Sequence, residues 1–413
     1  MTTLPARGRS AASILDDLDR LSRSDVDWRS GRAFSLAYHA GPDVEAIAEL
    51  AHARFAGANL LNVAAFPSLR AMQADVIAMV GDLLHAGPEA AGSVTSGGTE
   101  SLLLAVKAAR GLGRAERGVD RPRMIVPTTA HAAFEKAAVD YGVEIVRVPV
   151  GPDFRAVPSA MEAAIDDRTV LVGCSAPAYP QGVVDPVSEI AAISASRGIP
   201  CHVDACMGGM TLPLLERLGE PVALFDFRVA GVTSISVDLH KYGYAPKGIS
   251  VLVHRDKRRR AHQAFATDAW LGGFYGSLGV LGTRGGGPVA AAWAVMNHLG
   301  LEGYLRLVSE ARAATLEIAE ALASRPGVRL LARPDATLLA FTIEDADTFA
   351  VGHALGRRGF WLDQQAPPPS LHCTVNAVHR GVTGAFLEAL AESHDEVRAS
   401  GATAGAKAYG RAE

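Results

Sequence analysis

Apolar positions along this chain change period several times, and each change marks an element. Ile14, Leu15, Leu18 and Leu21 form one helical stripe, and Val44, Ile47, Ala48, Ala51 and Phe55 form a second after Pro42. These two helices precede the main body and read as an N-terminal arm, residues 1–59, that packs elsewhere, on another subunit. From residue 60 helix and strand alternate. The pattern predicts helices over 73–84, 99–109, 132–141 and 187–196, and strands over 124–126, 143–148, 169–174, 199–204, 232–237 and 249–253. Such alternation implies an α/β fold with a mainly parallel sheet flanked by helices. The last two strands are joined too tightly for a crossover helix, so one of them runs antiparallel. Two long helices, 288–298 and 302–324, then lead to strands at 328–331, 338–343 and 371–375 and a helix at 349–358. The organisation expected is an arm (1–59), a large domain (60–300), a small C-terminal α+β domain (301–400) and a loose tail (401–413).

Composition narrows the class. Of 413 residues, 49 % are hydrophobic and 20 % charged, as in a folded enzyme-sized protein, and a net charge of −4 gives no reason to expect nucleic acid as partner. The basic run Lys257-Arg-Arg-Arg260 reads as a solvated turn. No segment resembles a signal peptide or a membrane anchor. The four cysteines, Cys174, Cys201, Cys206 and Cys373, lack metal-binding spacing and suit a reducing cytoplasm; no metal is expected.

One stretch concentrates the chemistry. Ser236-Val-Asp-Leu-His-Lys-Tyr-Gly-Tyr-Ala-Pro-Lys-Gly248 places Lys241 directly after a β-branched run and then brakes the chain. Burial at a strand end is expected to lower the pKa of this lysine toward a nucleophilic amine, as condensation with the aldehyde of pyridoxal 5'-phosphate (PLP) requires. Four further features serve the same cofactor. Thr95-Ser-Gly-Gly-Thr-Glu-Ser101 opens a helix whose backbone N–H groups and dipole suit a phosphate, and also reads as a capping box. Asp204 ends a strand, where a buried carboxylate needs a cationic partner such as a protonated pyridine nitrogen. His131 follows a strand and can stack on a flat ring or cap the next helix, and His240 can donate to a phosphate. Three of these groups stand at carboxyl ends of strands, where open α/β sheets bind ligands.

Together with His131-Ala-Ala-Phe-Glu-Lys-Ala137, His202-Val-Asp-Ala-Cys206 and Asp238-Leu-His-Lys241, these motifs resemble the PLP-dependent group II decarboxylase family of fold type I. Phe225-Asp-Phe-Arg-Val-Ala-Gly231, Ser175-Ala-Pro-Ala-Tyr-Pro180, Trp270-Leu-Gly-Gly-Phe-Tyr275 and Gly282-Thr-Arg-Gly-Gly286 resemble, within it, the lyases of phosphorylated long-chain amino alcohols. The resemblance spans residues 31 to 380. It implies a homodimer with a shared active site, Lys241 as the cofactor lysine, Asp204 on the ring nitrogen and His131 stacked on the ring. It also implies Gly98, Thr99, His240 and Thr283 of the partner on the cofactor phosphate. Tyr179 matches a catalytic tyrosine, and Tyr38, Asn59, Asn62 and Lys247 match substrate-binding positions. The activity implied is cleavage of a Cα–Cβ bond to give an aldehyde and phosphoethanolamine.

Two positions depart from the relatives' pattern. Asn62 stands where they carry a histidine, and an amide cannot carry charge or act as a base near neutral pH; His39 is a candidate substitute. Gln181 replaces another histidine. The rival readings are a PLP-dependent decarboxylase of an unphosphorylated amino acid, which Asn62 favours, and a binding protein that has kept the fold. Tyr179, Lys241 and His131 all remain candidates for proton transfer.

Overall fold

In the computed structural model, which describes residues 3–35 and 37–405, seven strands form one sheet. They are β1 (Ala91–Thr95), β2 (Arg123–Pro127), β3 (Glu144–Val148), β4 (Thr169–Ser175), β5 (Cys201–Asp204), β6 (Val232–Val237) and β7 (Ser250–His254), in the order β1-β7-β6-β5-β4-β2-β3. β2 through β6 run parallel to one another, whereas β7 runs antiparallel to both β6 and β1. β4, β5, β6 and β7 are buried along their whole length. That is why their sequences are near-continuous apolar runs: helices cover both faces. The α/β architecture inferred from the alternation is the one observed.

β1 has no counterpart among the expected strands. Its residues, Ala-Gly-Ser-Val-Thr, are small and show neither helical nor strand periodicity, and pairing with β7 makes it a strand. β8 (Phe265–Thr267) and β9 (Tyr275–Ser277) form a separate two-stranded antiparallel sheet. The basic run expected as a solvated turn is instead a short helix, Lys257–Ala261, capped by Asp256 and docked on β1 through Arg260, which donates to the Gly92 carbonyl at 3.0 Å.

The helical run Gly287–Ser324 links the two halves of the chain and is broken at Gly300 (φ 54°, ψ −174°), where the two long helices were expected to part. Beyond it, β10 (Val328–Leu330), β11 (Leu338–Ile343), β12 (Asp363–Gln365) and β13 (Ser370–Thr374) form an antiparallel sheet in the order β10-β11-β13-β12. Leu339, Phe341, Leu371 and Phe386 fill its core.

The N-terminal segment, expected to pack elsewhere, largely packs on its own chain. Helix Pro42–Phe55 buries Val44 and Ala48 against the Gly287–Ser324 run, because an apolar stripe settles on the nearest apolar surface. Upstream, the chain pairs with the small sheet: Phe34 N–H donates to Trp361 O (2.9 Å) and Thr374 N–H to Phe34 O (2.7 Å). Phe34 is fully buried beside Phe386 and His379. Helix Ala11–Ser22 buries nothing, and Leu15, Leu18 and Leu21 face solvent. Of the expected tail, residues 406–413 lie outside the described residues.

Candidate active site

Because β2, β4, β5 and β6 are parallel, the residues that follow them emerge at one edge of the sheet. A cavity of about 420 Å³ opens there, lined by Gly97, Gly98, Thr99, His131, Tyr179, Asp204, Asp238, His240 and Lys241 among others. Lys241, Asp204, His131, Tyr179, Gly98, Thr99 and His240 are thus gathered from five separate stretches of sequence.

Strand register fixes Asp204. It sits level with Ser175 of β4 and Ser236 of β6, and its Oδ1 accepts the Ser236 hydroxyl (3.3 Å) and the Cys206 N–H (3.1 Å). His131 accepts the Ala133 N–H at Nδ1 (3.1 Å), so it satisfies one free N–H at the start of the following helix, whose N-cap is Ala132. Burial lowers its pKa despite the Asp204 charge nearby, which keeps the ring neutral and apt for stacking.

Lys241 corrects an expectation. Burial does pull its pKa down, but Asp238, Cys206 and Asp204 outweigh it, and the pKa is raised above the ordinary lysine value. Its Nζ lies 2.8 Å from Asp238 Oδ2, and Asp238 is itself buried and accepts the Ser250 hydroxyl at 2.5 Å. The amine is therefore held as an ammonium in an ion pair. Sequence reasoning passed over Asp238, although its spacing three residues before the lysine at a strand end was a usable signal.

The glycine loop fits a phosphate. Helix Gly98–Arg117 begins after Gly97, so its first N–H groups have no partner within the helix. A Cβ at Gly98 would lie 2.8 Å from both Asp238 carboxylate oxygens and from Cys206 Sγ, so side-chain-free backbone is required there. His240 Nδ1 is buried with no hydrogen-bond partner, and its ring borders Gly97. An orphaned ring nitrogen beside open helix N–H groups is a donor set suited to an anion. The expected capping box does not form: the N-cap is Gly97, which has no side chain, and Glu100 accepts the N–H of Ser96, one residue before it, at 2.5 Å.

A second cavity, also about 420 Å³, shares His240 with the first and contains Tyr38, His39 and Lys247. Lys247 Nζ sits 4.9 Å above the Tyr38 ring and donates to the His240 carbonyl at 3.1 Å. Although Lys247 as a residue is exposed, burial of its amine and the nearby Lys241 charge lower its pKa to about 8. Of the two lysines in this motif, the one with the depressed pKa is thus Lys247, not Lys241.

Asn59, Asn62 and Thr283 line neither cavity. The segments that carry them meet in a strip where Leu60 N–H donates to Arg284 O (2.9 Å) and Asn59 bridges Gly285. Two further residues escaped the sequence reading. Asp363 of β12 accepts the Tyr179 phenol at 2.7 Å, and His372 of β13 lies 2.9 Å from the Tyr179 carbonyl. β12 is three polar residues before a proline run, with no periodicity to reveal it.

Comparison with known proteins supplies the family context. A family model for the pyridoxal-dependent decarboxylase conserved domain matches residues 2–344. Sphingosine-1-phosphate lyase of Oryza sativa subsp. japonica is 37 % identical over 422 residues, covering 100 % of this chain and 78 % of its own length. Sphingosine-1-phosphate lyase 1 of Rattus norvegicus is 38 % identical, covering 96 % and 70 %. A solved sphingosine-1-phosphate lyase from Burkholderia pseudomallei matches with a TM-score of 0.93 and 37 % identity, over 97 % of this chain and 94 % of that one. A glutamate decarboxylase of Lactobacillus brevis shares the fold (TM-score 0.84, 17 % identity, 96 % and 95 % covered).

Proposed function

Since the chain belongs to the sphingosine-1-phosphate lyases of the pyridoxal-dependent decarboxylase family, we propose that it cleaves the Cα–Cβ bond of a phosphorylated long-chain amino alcohol, giving an aldehyde and phosphoethanolamine. It is a PLP-dependent lyase. The observation that carries the substrate reading is the Tyr38–Lys247 cavity adjoining the cofactor cavity through His240. A cation beside the cofactor suits a substrate phosphate.

Bound PLP supplies an electron sink for the bond that breaks at Cα. The protein's residues do the rest. Lys241, once deprotonated and parted from Asp238, would provide the amine that holds the cofactor. Asp204, oriented by Ser236 and the Cys206 N–H, would keep the ring nitrogen protonated. His131, as a neutral imidazole, would lie against the ring and exclude water. The N–H groups of Gly98 and Thr99, with His240, would hold the cofactor phosphate, and Tyr38 and Lys247 that of the substrate. Tyr179, which lines the same cavity, would serve the reacting hydroxyl.

We read the working unit as a homodimer. Trp270, Leu271 and Phe274 are exposed, Leu271 completely, in the segment that leads to the Asn59–Asn62–Thr283 strip. Apolar side chains on this scale are normally covered by a partner, which would bring Asn59, Asn62 and Thr283 to the neighbouring site. Four buried free thiols suit a reducing cytoplasm. Among the described residues no helix is long and apolar enough to cross a membrane.

The test supplies the PLP-loaded protein with a phosphorylated long-chain base and, separately, with amino acids. Aldehyde release from the first is expected. Carbon dioxide from the second, without aldehyde from the first, would transfer the assignment to the decarboxylases.

A further inference from the structure

Three residues of the small sheet hold the segment that carries Tyr179. His372 Nε2 meets the Tyr179 carbonyl at 2.9 Å, and its ring centroid lies 4.2 Å from the tyrosine ring. Burial lowers the His372 pKa to about 4, so the imidazole is neutral and donates that bond from Nε2–H. Gln365 donates its amide to the Pro180 carbonyl at 3.1 Å. Asp363 Oδ2 accepts the Tyr179 phenol at 2.7 Å, and the same oxygen accepts the Ser35 hydroxyl, also at 2.7 Å. Ser35 follows Phe34, the residue anchored in the small core. One carboxylate oxygen therefore joins the arm, the small sheet and a residue lining the cofactor cavity.

A phenol has a single proton to donate. With that proton directed at Asp363, the Tyr179 oxygen presents lone pairs toward the cavity. We infer that Asp363 is a positioning residue for the lyase reaction: it makes Tyr179 a hydrogen-bond acceptor for the substrate hydroxyl on the carbon that becomes the aldehyde. Ser35 makes this arrangement depend on docking of the arm. Had Tyr179 pointed its proton into the cavity, it would suit a substrate carboxylate instead, so Asp363 also favours hydroxyl-bearing substrates. The inference rests on the lyase reading of the site.

The experiment is a double-mutant cycle on the PLP-loaded protein, with aldehyde release as the readout. Asp363→Asn keeps the side-chain shape but is neutral and can present an N–H to the phenol. It is expected to lower kcat roughly 10–100-fold, within the range for a positioned proton-handling group, with KM changed less than about threefold. In a Tyr179→Phe background the same change should cost less than about threefold, because the two residues act as a unit. Asp363→Glu should recover part of the loss. A full additional loss in the Tyr179→Phe background, or a change in KM alone, overturns the inference. If Asp363→Asn does not fold, Ser35→Ala replaces it: its smaller loss of kcat must also vanish beside Tyr179→Phe, and an additive loss overturns the inference equally. A wild-type protein that releases no aldehyde removes the lyase reading and this inference with it. An active wild type with an additive cycle removes this inference alone.

Discussion

Gly98→Ala measures how tightly the phosphate cradle is built. The added Cβ would lie 2.8 Å from both Asp238 oxygens and from Cys206 Sγ, about 0.6 Å inside ordinary contact. Asp238 cannot retreat freely, since Ser250 and Lys241 hold its two oxygens at 2.5 and 2.8 Å. The relief available is a shift of the helix start away from Asp238, which carries the Gly98 and Thr99 N–H groups off the phosphate. Restoring them on binding should cost about 1–3 kcal/mol, the usual penalty for overpacking a rigid site. At tenfold for each ~1.4 kcal/mol, affinity for PLP should fall by roughly 5- to 150-fold. Titrating cofactor-free protein with PLP and following the absorption of the bound form gives that affinity directly. Gly97→Ala is the matched control. Its backbone is extended and its added Cβ would meet only His240 Cε1, at 3.4 Å, so affinity should stay within about threefold. Equal affinities for Gly98→Ala and wild type would refute the steric reasoning, and equal losses in both variants would show that any side chain in the loop is harmful.

Other outcomes follow from single features. Lys247 must be charged to attract a phosphate, and its pKa is lowered to about 8, so KM for the phosphorylated substrate should rise as pH climbs through that value. Lys247→Arg, which stays protonated, should abolish that rise; an unchanged pH profile would remove Lys247 from phosphate binding. Phe34→Ala deletes a fully buried ring at the join of arm and small sheet and should cost on the order of 3–5 kcal/mol in urea unfolding. A cost below about 1 kcal/mol would mean that the arm is not anchored there. Asn62→His should improve kcat/KM for the phosphorylated substrate by roughly threefold or more, through one charge-assisted hydrogen bond. No change would shift that task to His39 or another group.

Most of the large sheet was legible because its strands are continuous β-branched runs, a local signal that survives without knowledge of the partner strand. Lys241, Asp204, His131 and the glycine loop were legible for a related reason: strand ends in a parallel sheet converge at one edge, so position along the chain implied position in space. β1 and β12 were not, since strands of small or polar residues are defined by their neighbours' hydrogen bonds rather than by their own pattern. The sequence also misjudged the lysine. Burial alone lowers an amine's pKa, and only the fold places the Asp238 carboxylate 2.8 Å from it to reverse the sign. The same holds for Asp363, 184 positions from Tyr179 along the chain and 2.7 Å from its phenol. Local pattern thus determined the elements and the chemistry available at their ends. Which charge faces which, and so which groups hold protons, was decided by packing, because electrostatic interaction depends on distances that the chain sets only when folded.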